Sequence, residues 1–327
     1  MKRSMMSALL CCGFVCGAAA QPANQNPADW PTQTVKIVVP YAAGGSSDTL
    51  GRLMAQHLQA AFKQSFVVEN RGGGGGTIGS KQVAMTPPNG YNLVISGIGS
   101  HVIAPVETRT IDPLADFTHI AMLGGPPAVL VVHPSVPATN LKEFITYAQQ
   151  VKGGLSWGSS GQGSHAHLIG ELFARQAKIE QTHIGYKGGN PAMADLMGGQ
   201  IPAAVVTYTS ASGAIKSGKV KALAITASKR LPASPDIPTF QEQGFPDLVA
   251  TTWFSLSGPP GMAPELVNRI NAEVRKGLET EAMQKQFLLE GIEAPSWDAA
   301  TFQRYMRSEL DRWVPLVKMV AASAPKS

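Results

Sequence analysis

VVPYAAGGSSDT, residues Val38 to Thr49, passes from an apolar run through a pair of glycines, a pair of serines and an aspartate straight into a helical pattern. The run VKIVVPY (35–41) has the β-branched density of a buried strand. After the turn, Leu50, Leu53, Met54, His57, Leu58, Ala61 and Phe62 recur at the spacing of one helical face. A glycine-rich turn between a strand and a helix start is a cradle for an anion. The first backbone N–H groups of a helix lack partners and carry roughly half a positive charge. Glycine lets the main chain come close to a ligand, and serine hydroxyls add donors. Ligands of such turns range from a nucleotide phosphate to a small carboxylate.

The alternation of strand and helix continues outward from this stretch. SFVVEN (65–70) and YNLVISG (91–97) read as strands, with a helix over 78–85 between them. A second set follows: strands HIAMLGG (119–125) and PAVLVVH (127–133), a helix over 141–151, strand LSWGS, a helix over 164–176, strand THIGY, a helix over 191–197, and strands PAAVVTY (202–208) and VKALAIT (220–226). A proline-rich stretch, RLPASPDIPTF, precedes TTWFSLSG (251–258) and helices over 264–279 and 300–320. The alternation predicts an α/β protein of parallel strands with helices on both sheet faces. The simplest topology is two α/β lobes around a cleft, lobe 1 from 21–122 with 251–327 and lobe 2 from 123–250. Crossing segments near 122–132 and 250–258 join them, and a ligand belongs between the lobes, where hinge closure buries it.

Residues 1–20, MKRSMMSALLCCGFVCGAAA, carry Lys2 and Arg3, an apolar stretch from Met5 to Val15 and small residues before Gln21, the layout of a cleaved signal peptide. The apolar stretch is short for a membrane span, and no later segment offers about twenty consecutive apolar residues. The protein is expected to be exported to the periplasm. Cys11, Cys12 and Cys16 all lie in the leader. Cys11 precedes Cys12 and Val15 precedes Cys16, where lipid attachment wants a small residue. The mature chain therefore has no disulfide, no thiolate nucleophile and no cysteine metal site. Without Lys2 and Arg3 it keeps 25 basic against 22 acidic residues, a net +3 without a basic run. Nucleic-acid binding, which needs clustered Lys and Arg, is not expected.

Other motifs weigh less. RGGGGGTIGSK (71–81) contains Gly74-x-Gly76-x-x-Gly79, but Ser80 stands where a phosphate loop needs lysine, and no acid follows about twenty residues on to hold a ribose. It reads as a loop at the cleft edge. Ser96, Ser100, Ser159, Ser160 and Ser164 sit near glycines, yet none lies in G-x-S-x-G. His165 and His167 point in different directions at a helix start and have no acid beside them to complete a metal set. The expectation is no catalysis, no cofactor and no metal. What stands out is a repeated design: the GGSS turn at 44–47 and the GSSGQGS turn at 158–164 each precede a helix, and SGIGSH (96–101) follows a third strand. Each serine alone could be an ordinary N-cap worth about 1 kcal/mol; paired turns in different lobes point to a ligand. Asp48 would repel an anion, so it is expected to turn back and brace its own turn.

At this point a resemblance emerges. PTQTVKIVVPYAAGGSSDTLGRLMAQHL, VVENRGGGGGTIGSKQVA, FTHIAMLGGPPAVLVVHPSVPA, LSWGSSGQGSHAHLIGELF, IGYKGGNPAMADLMGGQI and PTFQEQGFPDLVATTWF resemble, in order, successive motifs of the Bug family, the TctC-like substrate-binding proteins of tripartite tricarboxylate transporters. The resemblance implies a type II periplasmic binding protein fold, a Venus flytrap that captures a small carboxylate and delivers it to membrane permease subunits. It implies a grip by Tyr41, Ala42, Ala43, Gly44, Gly45, Ser46 and Ser47 in one lobe and by Gly158, Ser159, Ser160, Gly161, Ser164 and His165 in the other. Ser100, His101, Tyr186, Thr207 and Tyr208 are expected to form the wall that selects the ligand. The chain departs from the family pattern at Ala43, where proline is usual, and at Val206, where an acid is usual. The second departure argues against a ligand amine. A monomer is expected; a sensor that docks on a signalling partner, and an exported hydrolase, are the alternative readings.

Overall fold

Val35–Val39 (β1) is flanked by parallel strands Phe66–Asn70 (β2) and Asn92–Gly97 (β3), with helices Ser46–Phe62 (α1) and Thr77–Ala84 (α2) as crossovers. The structure, a computed structural model, describes residues 28–323; the leader expected over 1–20 lies outside the described residues. Val35, Ile37 and Val39 pack with Leu50, Met54 and Leu58 in one core, while Val38 packs with Val83 and Val94 on the other face. Both faces are covered, which is why this strand reads as a continuous apolar run and not as an alternation.

A π-type turn, Gly99–Ile103, and a short helix, Ala104–Thr108 (α3), lead to Thr118–Gly124 (β4). The chain then crosses into a second sheet through Ala128–Val132 (β5), Leu141–Gln150 (α4), Leu155–Ser159 (β6), His165–Ala177 (α5), Gln181–Gly185 (β7), Gly189–Met197 (α6), Ala203–Thr207 (β8), Tyr208–Lys216 (α7) and Lys221–Ile225 (β9). It returns as Phe254–Gly258 (β10). The strand orders are β2-β1-β3-β10-β4 and β7-β6-β8-β5-β9, the same pattern twice.

The alternation in the sequence predicts parallel strands throughout; β10 and β5 are antiparallel to both their neighbours. Each arrives from the other sheet without an α-helix packed on its own sheet to reverse the chain, so each runs opposite to its new neighbours. The two crossings lie side by side, Pro127 bridging Thr251 and the Thr252 amide donating to Pro126 O at 3.0 Å.

Three helices end the described chain where the sequence pattern suggests two: Pro264–Leu278 (α8), Glu281–Glu290 (α9) and Ala299–Ser323 (α10). Phe302, Met306, Trp313 and Val317 of α10 enter the same core as Ile169 and Phe173 of α5. The last helix, expected to complete the first lobe, therefore also packs on the second. No helix among the described residues is long and apolar enough to cross a membrane.

Candidate ligand-binding cleft

The turn after β1 is held open to the cleft by the residue that follows it. Asp48 Oδ2 accepts from the Gly44 amide at 2.8 Å and from Arg52 Nε at 2.9 Å, and Asn70 Nδ2 donates to Oδ1 at 2.9 Å and to Tyr41 O at 3.1 Å. Burial pushes the Asp48 carboxyl up; the bonds from Arg52, Gly44 and Asn70 together outweigh it and hold the group below its usual range. Gly44 sits at φ +81°, where a β-carbon is strained, so the turn needs glycine there. Asp48→Ala removes the acceptor shared by the Gly44 amide and the Asn70 side-chain amide, both only partly buried, and should cost about 1 kcal/mol. Thermal melting with and without ligand checks this; an unchanged melting temperature would remove Asp48 from the turn's support.

Between the two sheets lies a cavity of about 40 Å³, room for roughly three waters. Four helices begin at it. Gly45, Ser46 and Ser47 open α1; Ser164, His165 and Ala166 open α5; Gly188 and Gly189 open α6; Thr207 and Ser210 belong to the start of α7. Ser164 caps α5 through its hydroxyl, which accepts from the His167 amide at 3.1 Å. The first turns of these helices therefore border a common space, although the leading amide of α7, that of Tyr208, is spent on Pro127 O at 2.9 Å. None of the lining residues is Lys, Arg, Asp or Glu.

The lobes meet across this space. Ser46 Oγ donates to Thr207 Oγ1 at 2.6 Å, the Ala42 amide donates to Lys187 O at 2.9 Å, and Gln162 Nε2 donates to Glu107 Oε2 at 3.1 Å. The Tyr41 hydroxyl donates to Gly75 O at 2.9 Å, placing its ring under the glycine loop. His165 Nδ1 bonds Thr252 Oγ1 at 2.7 Å, and burial pushes its pKa down to about 3, with Arg312 adding to the fall, so the ring is neutral.

Of the residues singled out from the sequence, Tyr41, Ala42, Gly45, Ser46, Ser47, Ser160, Ser164, His165 and Thr207 are brought together around the cavity. The rest sit behind or beside it. Gly44 binds Asp48, and Ala43 O accepts from Asn190 Nδ2 at 3.3 Å. Ser100 bonds His101 Nδ1 at 2.9 Å, and the buried His101 ring packs edge-on to Phe117 at 4.3 Å, away from the cleft. Gly158 faces Ile201 and the Tyr186 ring; Ser159 Oγ lies 2.7 Å from His183 Nε2 and accepts from the Gly161 amide at 3.1 Å. The Tyr186 hydroxyl donates to Asp195 at 2.7 Å, and the fully buried Tyr208 bonds Ser234 in the second core.

Gly99, Ala166, Gly188, Gly189, Ser210, Thr252 and Phe254 also line the cavity and were not anticipated. KGGN (187–190) carries the same glycine signature before a helix as the first turn, so Gly188 and Gly189 had a readable signal. Thr252 and Phe254 had none, because only the returning crossing brings them here.

The fold and the cleft define the class: a two-lobed binding protein of the periplasmic type, with its pocket at helix starts between the lobes. Residues 50–321 match the family model described as tripartite tricarboxylate transporter family receptor, and the chain belongs to that family. It is 30% identical over 322 residues to the protein BugT of Bordetella pertussis, covering 98% of this chain and 99% of that one. Among solved structures, an R. palustris protein with adipate matches with a TM-score of 0.85 and 33% identity over 89% of this chain and 98% of that one. MatC from Rhodopseudomonas palustris, with bound malate, matches with a TM-score of 0.84 and 31% identity over 88% of this chain and all of that one.

Proposed function

We propose that this protein is a periplasmic solute-binding protein that captures a small organic carboxylate and presents it to the membrane subunits of a tripartite tricarboxylate-type transporter, without catalysing a reaction on it. One observation carries the reading: four helix N-termini converge on an interlobe cavity whose lining has no charged side chain. Together they offer on the order of two positive charges from peptide dipoles alone, enough for one or two carboxylates. The adipate and malate held by its structural neighbours fit the same chemistry. Closure would act between lobe 1 (21–122 with 251–327) and lobe 2 (123–250), which meet through the contacts of Ser46, Ala42 and Gln162.

Calorimetry against mono-, di- and tricarboxylates and neutral sugars tests it: saturable binding of an acid supports the reading, and binding of sugars with indifference to every acid overturns it. Gly189 supplies the sharpest variant. A β-carbon there would lie 2.4 Å from Ser210 Oγ and 2.8 Å from its Cβ, inside the wall of the cavity. Gly189→Val should weaken ligand binding roughly 100-fold by overpacking this wall. Unchanged affinity in a folded variant would place the ligand elsewhere.

A further inference from the structure

The glycine run of RGGGGGTIGSK lines no part of the cavity, yet it meets the other half of the molecule main chain to main chain. On its own side the run is fixed. The Tyr41 hydroxyl donates to Gly75 O at 2.9 Å, Thr77 Oγ1 to Gly74 O at 2.8 Å and Ser80 Oγ to Gly76 O at 2.9 Å. Facing it is the turn between β6 and α5, whose Gly163 amide donates to His167 Nδ1 at 3.3 Å and whose Ser164 amide donates to Gly161 O at 3.1 Å. Neither side can give way easily. A β-carbon on Gly75 would stand 2.5 Å from Gln162 O and 3.3 Å from Gly163 C. One on Gly163 would stand 2.9 Å from Cβ and 3.0 Å from Cα of Ala104, the first residue of α3. One on Gly72 would stand 3.1 Å from Lys187 O, the carbonyl that takes the Ala42 amide. Carbon atoms in ordinary contact keep about 3.5–4.0 Å, so these positions have no room for a side chain while the two halves touch.

We propose that Gly75, Gly163 and Ala104 form a seam that sets how far the two lobes close, and so governs ligand retention from outside the cavity. The inference rests on the two-lobed binding reading above. The lobes turn about the paired crossings at Pro127 and Thr251, and any atom added in the seam holds them apart. That separation is passed to the bonds that shut the cleft, Ser46 Oγ to Thr207 Oγ1 at 2.6 Å and the Ala42 amide to Lys187 O at 2.9 Å, which weaken steeply as they lengthen. Glycine at 163 answers two separable needs. Its φ of +72° strains any other residue, and Ala104 leaves no space for a β-carbon. The first need is internal to the turn and is the same in the open and closed protein. Only the second depends on closure.

Distances between paired spin labels read closure directly. No cysteine follows Cys16, so labels on Lys81→Cys in α2 and Thr182→Cys in β7, both exposed, are the only ones in the mature chain. The distance distribution is recorded for the full mature chain alone, with malate and with adipate. Gly163→Ala should lower the ratio of the short-distance to the long-distance population roughly tenfold, the scale of one overpacked contact. Adding Ala104→Gly, which removes the nearest atom the new methyl meets, should recover most of that loss, while Ala104→Gly alone leaves the ratio within about twofold. Strain in the turn alone would lower the melting temperature of Gly163→Ala, leave the ratio in place and gain nothing from Ala104→Gly. Should Gly163→Ala fail to fold, Gly72→Val, at a glycine outside the left-handed region, carries the same expectation against Lys187 O. An unchanged ratio in a folded variant overturns the seam, as does a fall that Ala104→Gly does not rescue or a parent chain that never populates the short distance. If the parent chain closes but neither acid adds to its closed population, the carboxylate reading fails for these acids, and the variants still decide the seam.

Discussion

Lowering the pH from 7.5 to 5 should remove most of the stability of this protein while its ordinary carboxylates stay ionised. Four histidines are at most 5% exposed: His101, His119, His165 and His167. Burial pushes His119 and His167 down to about 4 and His165 to about 3, and drives His101 well below the ordinary value of 6.5, with the nearby His119 adding to its fall. His183, partly exposed and beside His167, is pushed down to about 3 by burial and by that neighbour. A histidine depressed in the folded state takes up its proton in the unfolded chain first. The stabilisation is complete above the unfolded pKa and is lost as pH falls from about 6.5 toward the folded values. Each fully coupled group loses about 2 kcal/mol between pH 6.5 and 5, so the four buried ones together lose up to roughly 8 kcal/mol. That compares with a total stability of about 5–15 kcal/mol for a domain. Urea midpoints at pH 7.5, 6 and 5 check it, and a flat profile would contradict it. His101→Phe, which replaces a ring with an unpartnered Nε2 already packed against Phe117, should reduce the steepness by about one proton.

Legibility in the sequence followed periodicity and glycine. β1, α1 and the order of the two sets of elements were readable because Val35, Ile37, Leu50, Met54 and Leu58 repeat at the spacing their burial requires. α7 was not read, since YTSASGAIK buries only Tyr208 and Ala211 and its remaining residues are small or polar. α9 was missed for another reason: Met283 and Phe287 face the core while Leu288 and Leu289 face outward, which blurs the apolar face. In the cleft, the turns at 41–47 and 158–165 announced themselves by glycine and serine before a helix. At 187–190 the same signal is present, but the sequence pattern places the helix start at Pro191, whereas α6 begins at Gly189. His101 was read as cleft wall because it follows a glycine-serine strand end. The chain enters a π-type turn at Gly99 and carries that ring back to Phe117.

Glu309→Leu should cost far more than an exposed glutamate could, and Glu309→Gln should cost little. Glu309 lies 5% exposed on α10, and its Oε2 accepts from Trp253 Nε1 at 2.6 Å and from Trp313 Nε1 at 3.0 Å. Trp313 packs edge-on to His165 at 5.4 Å, and His165 bonds Thr252, the neighbour of Trp253 in the second crossing. One carboxylate oxygen thus closes a circuit through the first residue of α5, the hinge crossing and the C-terminal helix. Leucine leaves two buried indole N–H groups unpartnered, at about 1–3 kcal/mol each. On a chain of this size a net loss near 3 kcal/mol lowers the melting temperature by roughly 6–12 °C. Glutamine keeps an acceptor oxygen at the same place, so its melting temperature should fall by less than about a third of that. The same comparison separates hinge from packing. If the circuit positions His165 at the cavity, Glu309→Leu weakens ligand binding severalfold and Glu309→Gln does not; equal losses in both variants would mean that the charge, and not the shared acceptor, holds α10 to the crossing.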